Sequence, residues 1–329
     1  FKDGIGLEQG KKLADAEVPG FLPDTPEIRS DLLDYCIEIE WFDQQLAKMI
    51  ALLEEAGELD NTIIVVTSDN GMAFPRAKAN MYEHGIRMPL AIRWGDKIPG
   101  GRTVDDLVSL IDLAPTFLEA TGVEHPGSNY AAPPMTGNSL LALLQGDKSG
   151  IVESDRAAVY SARERHSSSR YKTLSYPQRG LRTAEYLYVR NFHPERWPAG
   201  APQKYGTEEN RNDLTQLGLM HGGYHDIDAC PTHTYMVDHR DEPEVGPFFH
   251  AAVDHRPAEE LFRVGDDPAC MKNLADDPAF ADVKAALSKQ MMEFLKETGD
   301  PRALGEGDIF ETYPRYSSHR YFPKPDWAK

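Results

Sequence analysis

Thr62-Ile-Ile-Val-Val-Thr67 runs straight into Ser68-Asp69-Asn70-Gly71. The continuous β-branched run reads as a short strand that is apolar on both faces, the pattern of a strand buried in a parallel sheet. It ends abruptly in polar residues. In open α/β sheets ligands collect beyond the carboxyl ends of the strands, so Asp69 and Asn70 stand where function is expected.

Working outward, the residues before this strand predict a long amphipathic helix. Asp24-Thr25-Pro26-Glu27 supplies a capping oxygen, a proline in the first turn and an acid near the positive end. Leu32, Cys36, Ile39, Phe42, Leu46 and Leu53 then recur at helical spacing until Gly57 terminates the run. Downstream, Met88–Trp94 reads as a second apolar strand. Asp112 is expected to cap a helix over Leu113–Thr121 that stops at Gly122, with Pro115 tolerated in its first turn. Gly127–Gly137 is a Pro/Ala/Asn loop, and the polar residues 146–157 are the expected domain boundary.

Beyond that boundary the rhythm changes. Residues 158–162, 180–183, 186–192 and 260–264 read as short strands, and 278–297 as a helix with Val283, Leu287, Met291 and Leu295 inward. Residues 193–257, rich in Pro, Gly and His, read as long ordered loops. The expected division is therefore 1–150, an α/β unit, and 151–329, a smaller α+β unit with an antiparallel sheet.

Composition bounds the function. The chain has 329 residues, enough for two units with ordinary cores. Its formal charge of −18 argues against nonspecific binding to nucleic acid or to an anionic membrane surface, though not against a local basic pocket. No apolar run is long enough to span a bilayer. Cys36, Cys230 and Cys270 are too scattered for a disulfide framework. The first residues, Phe1-Lys2-Asp3-Gly4, carry no Met and no signal peptide, which reads as a processed chain or a fragment.

Several residues could carry chemistry. Asp69 and Asn70 together offer two hard oxygen ligands suited to Ca²⁺ or Mg²⁺. The alternative is an Asx turn in which Gly71 supplies a positive φ. Arg76 and Lys78, a few residues on, could neutralise a tetrahedral oxyanion, or simply decorate a solvated loop. In the second unit Arg163, Arg165, His166, Arg170, Arg179 and Arg182 suggest a pocket for a carboxylated or sulfated sugar, against the alternative of surface ion pairs. His221, His225, Cys230 and His233 are zinc-type ligands, but their spacing matches no standard template. A loop closing over the substrate is the preferred reading there.

The stretch Thr67-Ser-Asp-Asn-Gly71, with Lys78-Ala-Asn-Met-Tyr82-Glu83 and Arg87-Met-Pro89, resembles the formylglycine-dependent sulfatase family. Ser109-Leu-Ile-Asp112-Leu-Ala-Pro115-Thr116 looks like the family's helix start. Glu260-Leu-Phe, Asp267-Pro268 and Asn273-Leu274 are similar to a later family element. Within the family, Asn70-Gly-Met-Ala-Phe-Pro75, Tyr176-Pro-Gln-Arg179 and Lys296-Glu-Thr-Gly-Asp-Pro301 resemble the heparan N-sulfatase (sulfamidase) branch.

The resemblance implies an alkaline-phosphatase-like fold: a mixed, mainly parallel sheet flanked by helices, followed by the smaller α+β unit. It implies one Ca²⁺ held by Asp69 and Asn70 and a sulfate contact from Lys78 that assists the leaving group, with Glu83 and Arg87 bracing the loop. It also implies export to the periplasm or cell exterior.

One departure is large. None of the three cysteines stands in the family's Cys/Ser-x-Pro-x-Arg motif, whose side chain becomes formylglycine, and the upstream Asp-Asp metal pair is missing too. The expectation is that a missing N-terminal segment of the same protein supplies both and completes the sheet. The expected substrate is one sulfated carbohydrate residue at a time, a sulfate ester or sulfamate; a homodimer is left open. The competing readings are a phosphoesterase or phosphonate hydrolase of the same superfamily, and a catalytically inactive sugar-binding fragment.

Overall fold

A computed structural model of the protein describes residues 3–124, 134–211 and 213–328; most of the loop expected at Gly127–Gly137 lies outside them. The principal elements are α1 (Pro26–Glu55), β1 (Ile64–Thr67), β2 (Leu90–Arg93), α2 (Leu113–Thr121), β3 (Ala158–Arg163), β4 (Gln178–Thr183), β5 (Tyr186–Asn191), α3 (Pro231–Asp238), α4 (Gly246–Val253), β6 (Glu259–Arg263) and α5 (Ala281–Glu297).

Helix α1 begins as its sequence requires. Thr25 Oγ1 accepts from the Ile28 amide at 3.4 Å, and Pro26 takes the first helical position. Only its first half packs inward: Ile28, Leu32, Leu33 and Ile37 are buried, whereas Trp41 is 56% and Leu52 64% exposed. The apolar stripe thus continues well past the surface that covers it.

Strands β1 and β2 stand where the apolar runs placed them, but their pairing corrects the expected parallel arrangement. They are antiparallel, with Thr67 opposite Leu90 and Ile64 opposite Arg93. The physical reason lies in the connection. A parallel return needs a crossover, usually a helix of some length. Residues 68–89 instead fold into a tight loop with one helical turn, Glu83–Ile86, and the chain re-enters beside β1 running the other way. All four residues of β1 remain partly exposed.

Helix α2 keeps its expected bounds and ends at Gly122 with φ +68°. Asp112 does not cap it directly. Its carboxylate accepts from the amides of Ser109 (3.0 Å) and Asn138 (2.8 Å) and pairs with Arg156 at 3.2 Å, so it pins neighbouring segments to the helix start.

Strands β3 to β6 form one antiparallel sheet in sequence order. Leu181, Tyr188 and Leu261 face Leu287, Met291 and Leu295 of α5. Leu187, Val189 and Phe262, on the other face, pack against Met81 and Tyr82. The central strand β5 is thus covered on both sides, which explains its nearly continuous apolar sequence.

The division at residue 150 is not a break in packing. The largest core cluster joins Ile28, Leu33, Phe74 and Ala77 to Tyr224, Met236, Phe249 and Val253, so residues 199–253 complete the core of the first unit. They are not all loop, since α3 and α4 lie there. Helix α3 escaped the sequence reading because its cap is a thiol: Cys230 Sγ accepts from the His233 amide at 3.4 Å, outside the usual capping set.

Candidate functional site

The loop leaving β1 is held by close backbone approach. A Cβ on Gly71 would lie 2.1 Å from the His84 carbonyl oxygen, and one on Gly85 would lie 2.3 Å from that of Asn80. Gly71 is therefore required for contact, not for the positive φ of the Asx-turn reading. Left-handed backbone appears instead at Arg76 (φ 68°) and Ala79 (φ 60°), on either side of Lys78. Such conformations persist where surrounding contacts over-determine them.

Those contacts are specific. Arg76 donates Nη1 to the Ala251 carbonyl at 2.6 Å and Nη2 to that of Cys270, and its guanidinium lies 3.9 Å from the Tyr82 ring centre. Asn80 Nδ2 donates to the Lys78 carbonyl at 2.9 Å, while Asn80 Oδ1 accepts from buried Arg256 at 2.6 Å. The Lys78 amide donates to the Met72 carbonyl at 3.1 Å, tying it to the segment just past Asn70.

From this braced loop the Lys78 ammonium reaches the Asp228 carboxylate at 2.7 Å, with its side chain 26% exposed. Two residues earlier, Asp226 is fully enclosed. It takes Nη2 of both Arg163 and Arg170 on one oxygen, and the amide (3.1 Å) and hydroxyl (3.0 Å) of Ser167 on the other. Burial alone would disfavour its charge, but the two guanidiniums hold its carboxyl far below the usual carboxylate range.

Asp226 thereby locks the 163–170 loop to the 224–228 loop, and His166 lies between Arg163 and Ser167. Burial, together with repulsion from Arg163 and Lys78, pushes the His166 imidazole below its ordinary value. Its neutral form is favoured, so it can donate or accept a hydrogen bond near neutral pH.

The structure thus brings Lys78 and His166 into one electrostatic neighbourhood. It does not gather the arginines into an open pocket, which corrects that expectation. Arg76, Arg163 and Arg170 are buried on internal partners. Arg179 pairs with Asp300 (2.6 Å) and Glu164 (2.8 Å), and Arg182 with Glu83 (2.8 Å). Arg165 donates to the Phe310 carbonyl at 3.0 Å. The reason is compositional: in a chain with excess carboxylates, each guanidinium finds an acid or carbonyl within the fold. Arg87 stays 79% exposed at 3.6 Å from Glu83, whose nearer partner is Arg182.

The zinc-type residues serve other ends. Cys230 caps α3, and His221 Nε2 lies 2.7 Å from Asp238. The Cys230 and Cys270 thiols are pushed up to about 12 by burial, so neither is a ready nucleophile. The acids Asp226 and Asp228 were missed by sequence reasoning. Their signal, His225-Asp-Ile-Asp228, is two acids set among histidines whose metal-ligand character is the stronger local pattern.

Asp69 and Asn70 offer two oxygen donors of the kind a hard cation takes, and among the described residues no three or more His, Cys, Asp or Glu gather around one point. Asp69 is exposed at the strand end. The Asn70 amide nitrogen donates to the Gly71 carbonyl at 2.9 Å, which assigns Oδ1 as its acceptor atom. That donor chemistry suits Ca²⁺, whose shell takes 6–8 oxygens. Two residues supply a minority of it.

Comparison with known proteins decides the family. The Sulfatase family model matches residues 10–123, and the model described as N-sulphoglucosamine sulphohydrolase, C-terminal, matches residues 76–199. The chain carries a sulfatase family domain. The chain is 29% identical over 312 residues to N-sulphoglucosamine sulphohydrolase of Homo sapiens, covering 90% of this chain and 54% of that protein. It is 26% identical to an ulvan-active sulfatase of Formosa agariphila, covering 89% and 42%. It therefore spans about half the length of these curated relatives.

A structure solved with its substrate, D-glucosamine-2-N,6-O-disulfate, shares the fold with a TM-score of 0.55 at 23% identity, covering 87% of this chain and 43% of that one. The sulfatase fold is the alkaline-phosphatase-like α/β class, here with its antiparallel β3–β6 sheet in the C-terminal part. No described helix is long and apolar enough to cross a membrane.

Proposed function

We propose that this chain forms part of the catalytic unit of an exported sulfatase that removes sulfate from a glycosaminoglycan-type sugar, with N-sulfoglucosamine the favoured substrate. The observation that carries the reading is the Lys78–Asp228 pair beside neutral His166, set on a strained loop just past Asp69-Asn70. The identity to N-sulphoglucosamine sulphohydrolase over 90% of the chain supports the substrate class.

Sulfate esters and sulfamates spread negative charge over their sulfonyl oxygens, and preorganised positive charge is what such a centre must supply. The Lys78 ammonium binds one of those oxygens, with Asp228 setting its direction. His166, neutral and half-buried, offers a hydrogen bond to the departing oxygen or nitrogen. Asp69 and Asn70 would hold a calcium ion, which when bound supplies Lewis-acid polarisation of the sulfuryl group.

The nucleophile is assigned to residues outside these 329: the one Ser-x-Pro-x-Arg, Ser175-Tyr-Pro-Gln-Arg179, has its serine fully buried and bonded to Glu311 at 2.7 Å, and the Cys230 and Cys270 thiols are held protonated. The same additional chain is the proposed cover for the exposed apolar side of α1 and the partly exposed faces of β1 and β2.

The test is sulfate release. Protein purified from its native host, incubated with a terminal N-sulfoglucosamine disaccharide, is expected to liberate inorganic sulfate by ion chromatography. Release of phosphate from phosphate esters without any sulfate release would overturn the reading.

A further inference from the structure

Beneath the Lys78 loop lies a cluster of buried cations that the sulfate chemistry does not use. Arg76, Arg163, Arg170 and Arg256 are all enclosed by the fold. Three of them are answered. Arg163 and Arg170 share the Asp226 carboxylate, and Arg76 gives both Nη groups to the carbonyls of Ala251 and Cys270. Arg256 is not. Its Nη2 donates to the neutral amide oxygen of Asn80 at 2.6 Å, and no carboxylate among the described residues bonds to it. Glu260, the carboxylate whose charge acts on Arg256, is taken by the Tyr82 hydroxyl and by Asn191 Nδ2, each at 2.7 Å.

Burial makes that arrangement costly. Arg256 is 6% exposed, and its Nε and Nη1 have no hydrogen-bond partner. The Tyr176 hydroxyl, on a side chain with no exposure, and Arg163 Nε are unpartnered too. These groups are neighbours. The guanidiniums of Arg163 and Arg170 lie 5.6 and 5.4 Å from the Tyr176 ring centre, and Arg256 lies 4.8 Å from that of Tyr82. Arg256 is the charge acting most strongly on the Tyr176 phenol, and it repels Arg163. All the unpartnered atoms named can donate. Unmade buried donors and an unpaired buried charge each cost free energy, which an acceptor carrying negative charge would offset.

We propose that Arg256, Tyr176 and Arg163 form an internal site for a monovalent inorganic anion, with chloride the physiological occupant. The charge balance favours an ion over a water molecule. The charges acting most strongly on the Tyr82 and Tyr176 phenols are those of Arg76, Arg163, Arg170 and Arg256 against the single carboxylate of Glu260. Water would satisfy the donors and leave that excess standing. Enclosure favours one negative charge over two, because the cost of removing an ion from water rises steeply with its charge. The site is separate from the Lys78 ammonium but is joined to its backbone. Arg256 holds Asn80 Oδ1, and Asn80 Nδ2 donates to the Lys78 carbonyl at 2.9 Å. An anion on Arg256 thereby braces the left-handed turn at Ala79. The inference stands on these buried groups and does not rest on the proposed function.

The experiment uses the protein as isolated from its native host, with variants expressed in that host. Sodium chloride replaces sodium gluconate at a constant ionic strength of roughly 0.15 M, and the melting temperature is followed. A saturating rise is expected, because a ligand bound only by the folded state stabilises it according to its occupancy. Tyr176→Phe removes one hydroxyl and keeps the ring. It is expected to raise the midpoint chloride concentration about tenfold, the effect of one lost hydrogen bond to a charged group. Should that variant fail to fold, Arg256→Lys, which keeps the charge with fewer donors, is expected to raise the midpoint likewise. Lys78→Ala is expected to leave it unchanged.

Equal melting temperatures in chloride and gluconate would overturn the site and leave water as the partner of these donors. A rise that never saturates would also overturn it, as a bulk effect of salt. A midpoint unmoved by the Tyr176 or Arg256 variant, or lost in Lys78→Ala, would put the anion elsewhere and contradict the assignment. None of these readouts involves sulfate release, so the sulfatase reading and the anion site stand or fall separately.

Discussion

The Lys78 ammonium and the Asp228 carboxylate meet at 2.7 Å across 150 positions of sequence. Neither loop could place its charge alone. Lys78 depends on the Arg76 and Asn80 contacts beneath it, and Asp228 on the Asp226 lock two residues before it. The pair ties the loop that follows β1 to the loop that precedes α3.

Lys78→Ala is expected to lower kcat for sulfate release about 10²–10³-fold, the usual cost of removing one preorganised group that stabilises transition-state charge. The thermal midpoint should move little, since the side chain is partly exposed. Steady-state kinetics and a melting curve on the native enzyme check both. An unchanged kcat would remove Lys78 from the chemistry.

Asp69→Ala is expected to abolish calcium binding at this site. Calcium-dependent thermal stabilisation of the native enzyme, read without any turnover, should vanish in the variant, because ligand-linked stabilisation requires binding to the folded state. Persistence of the full shift would place the ion elsewhere.

Stability is expected to fall as pH drops from about 6.5 toward 4. Burial pushes His225 and His233 down to about 4, so both are neutral in the folded chain. Below 6.5 the unfolded chain takes up protons that the folded chain refuses, and stability declines until the folded values are reached. His233→Gln should flatten the acid limb of the melting temperature against pH. An unaltered limb would assign acid lability to other groups.

The exposed apolar side of α1 is expected to drive self-association of the isolated chain. Trp41→Glu with Leu52→Glu, both at exposed positions, should reduce light scattering without loss of helix content. Equal scattering would show that this face needs no cover.

The parts of the fold legible in sequence were those with local causes. The Thr25-Pro26 start of α1, the β-branched run of β1 and the Gly122 stop of α2 are written within a few residues of where they act. Strand pairing was not, because whether β2 returns parallel or antiparallel depends on how residues 68–89 pack. Asp69 and Asn70 could be nominated from type and position, with an Asx turn left open, and Lys78 only through the family resemblance. The fate of Arg163 could not, since its partner Asp226 is 63 residues away. An arginine's neighbours, more than its identity, decide whether it binds substrate or holds a loop.

The account rests most heavily on these residues working with a nucleophile carried elsewhere. Intact-mass and peptide-map analysis of the protein as isolated from its native host tests this directly. The account predicts a longer parent, or a co-purifying chain, bearing a Cys or Ser converted to formylglycine. Recovery of only these 329 residues, with no such companion, would contradict it.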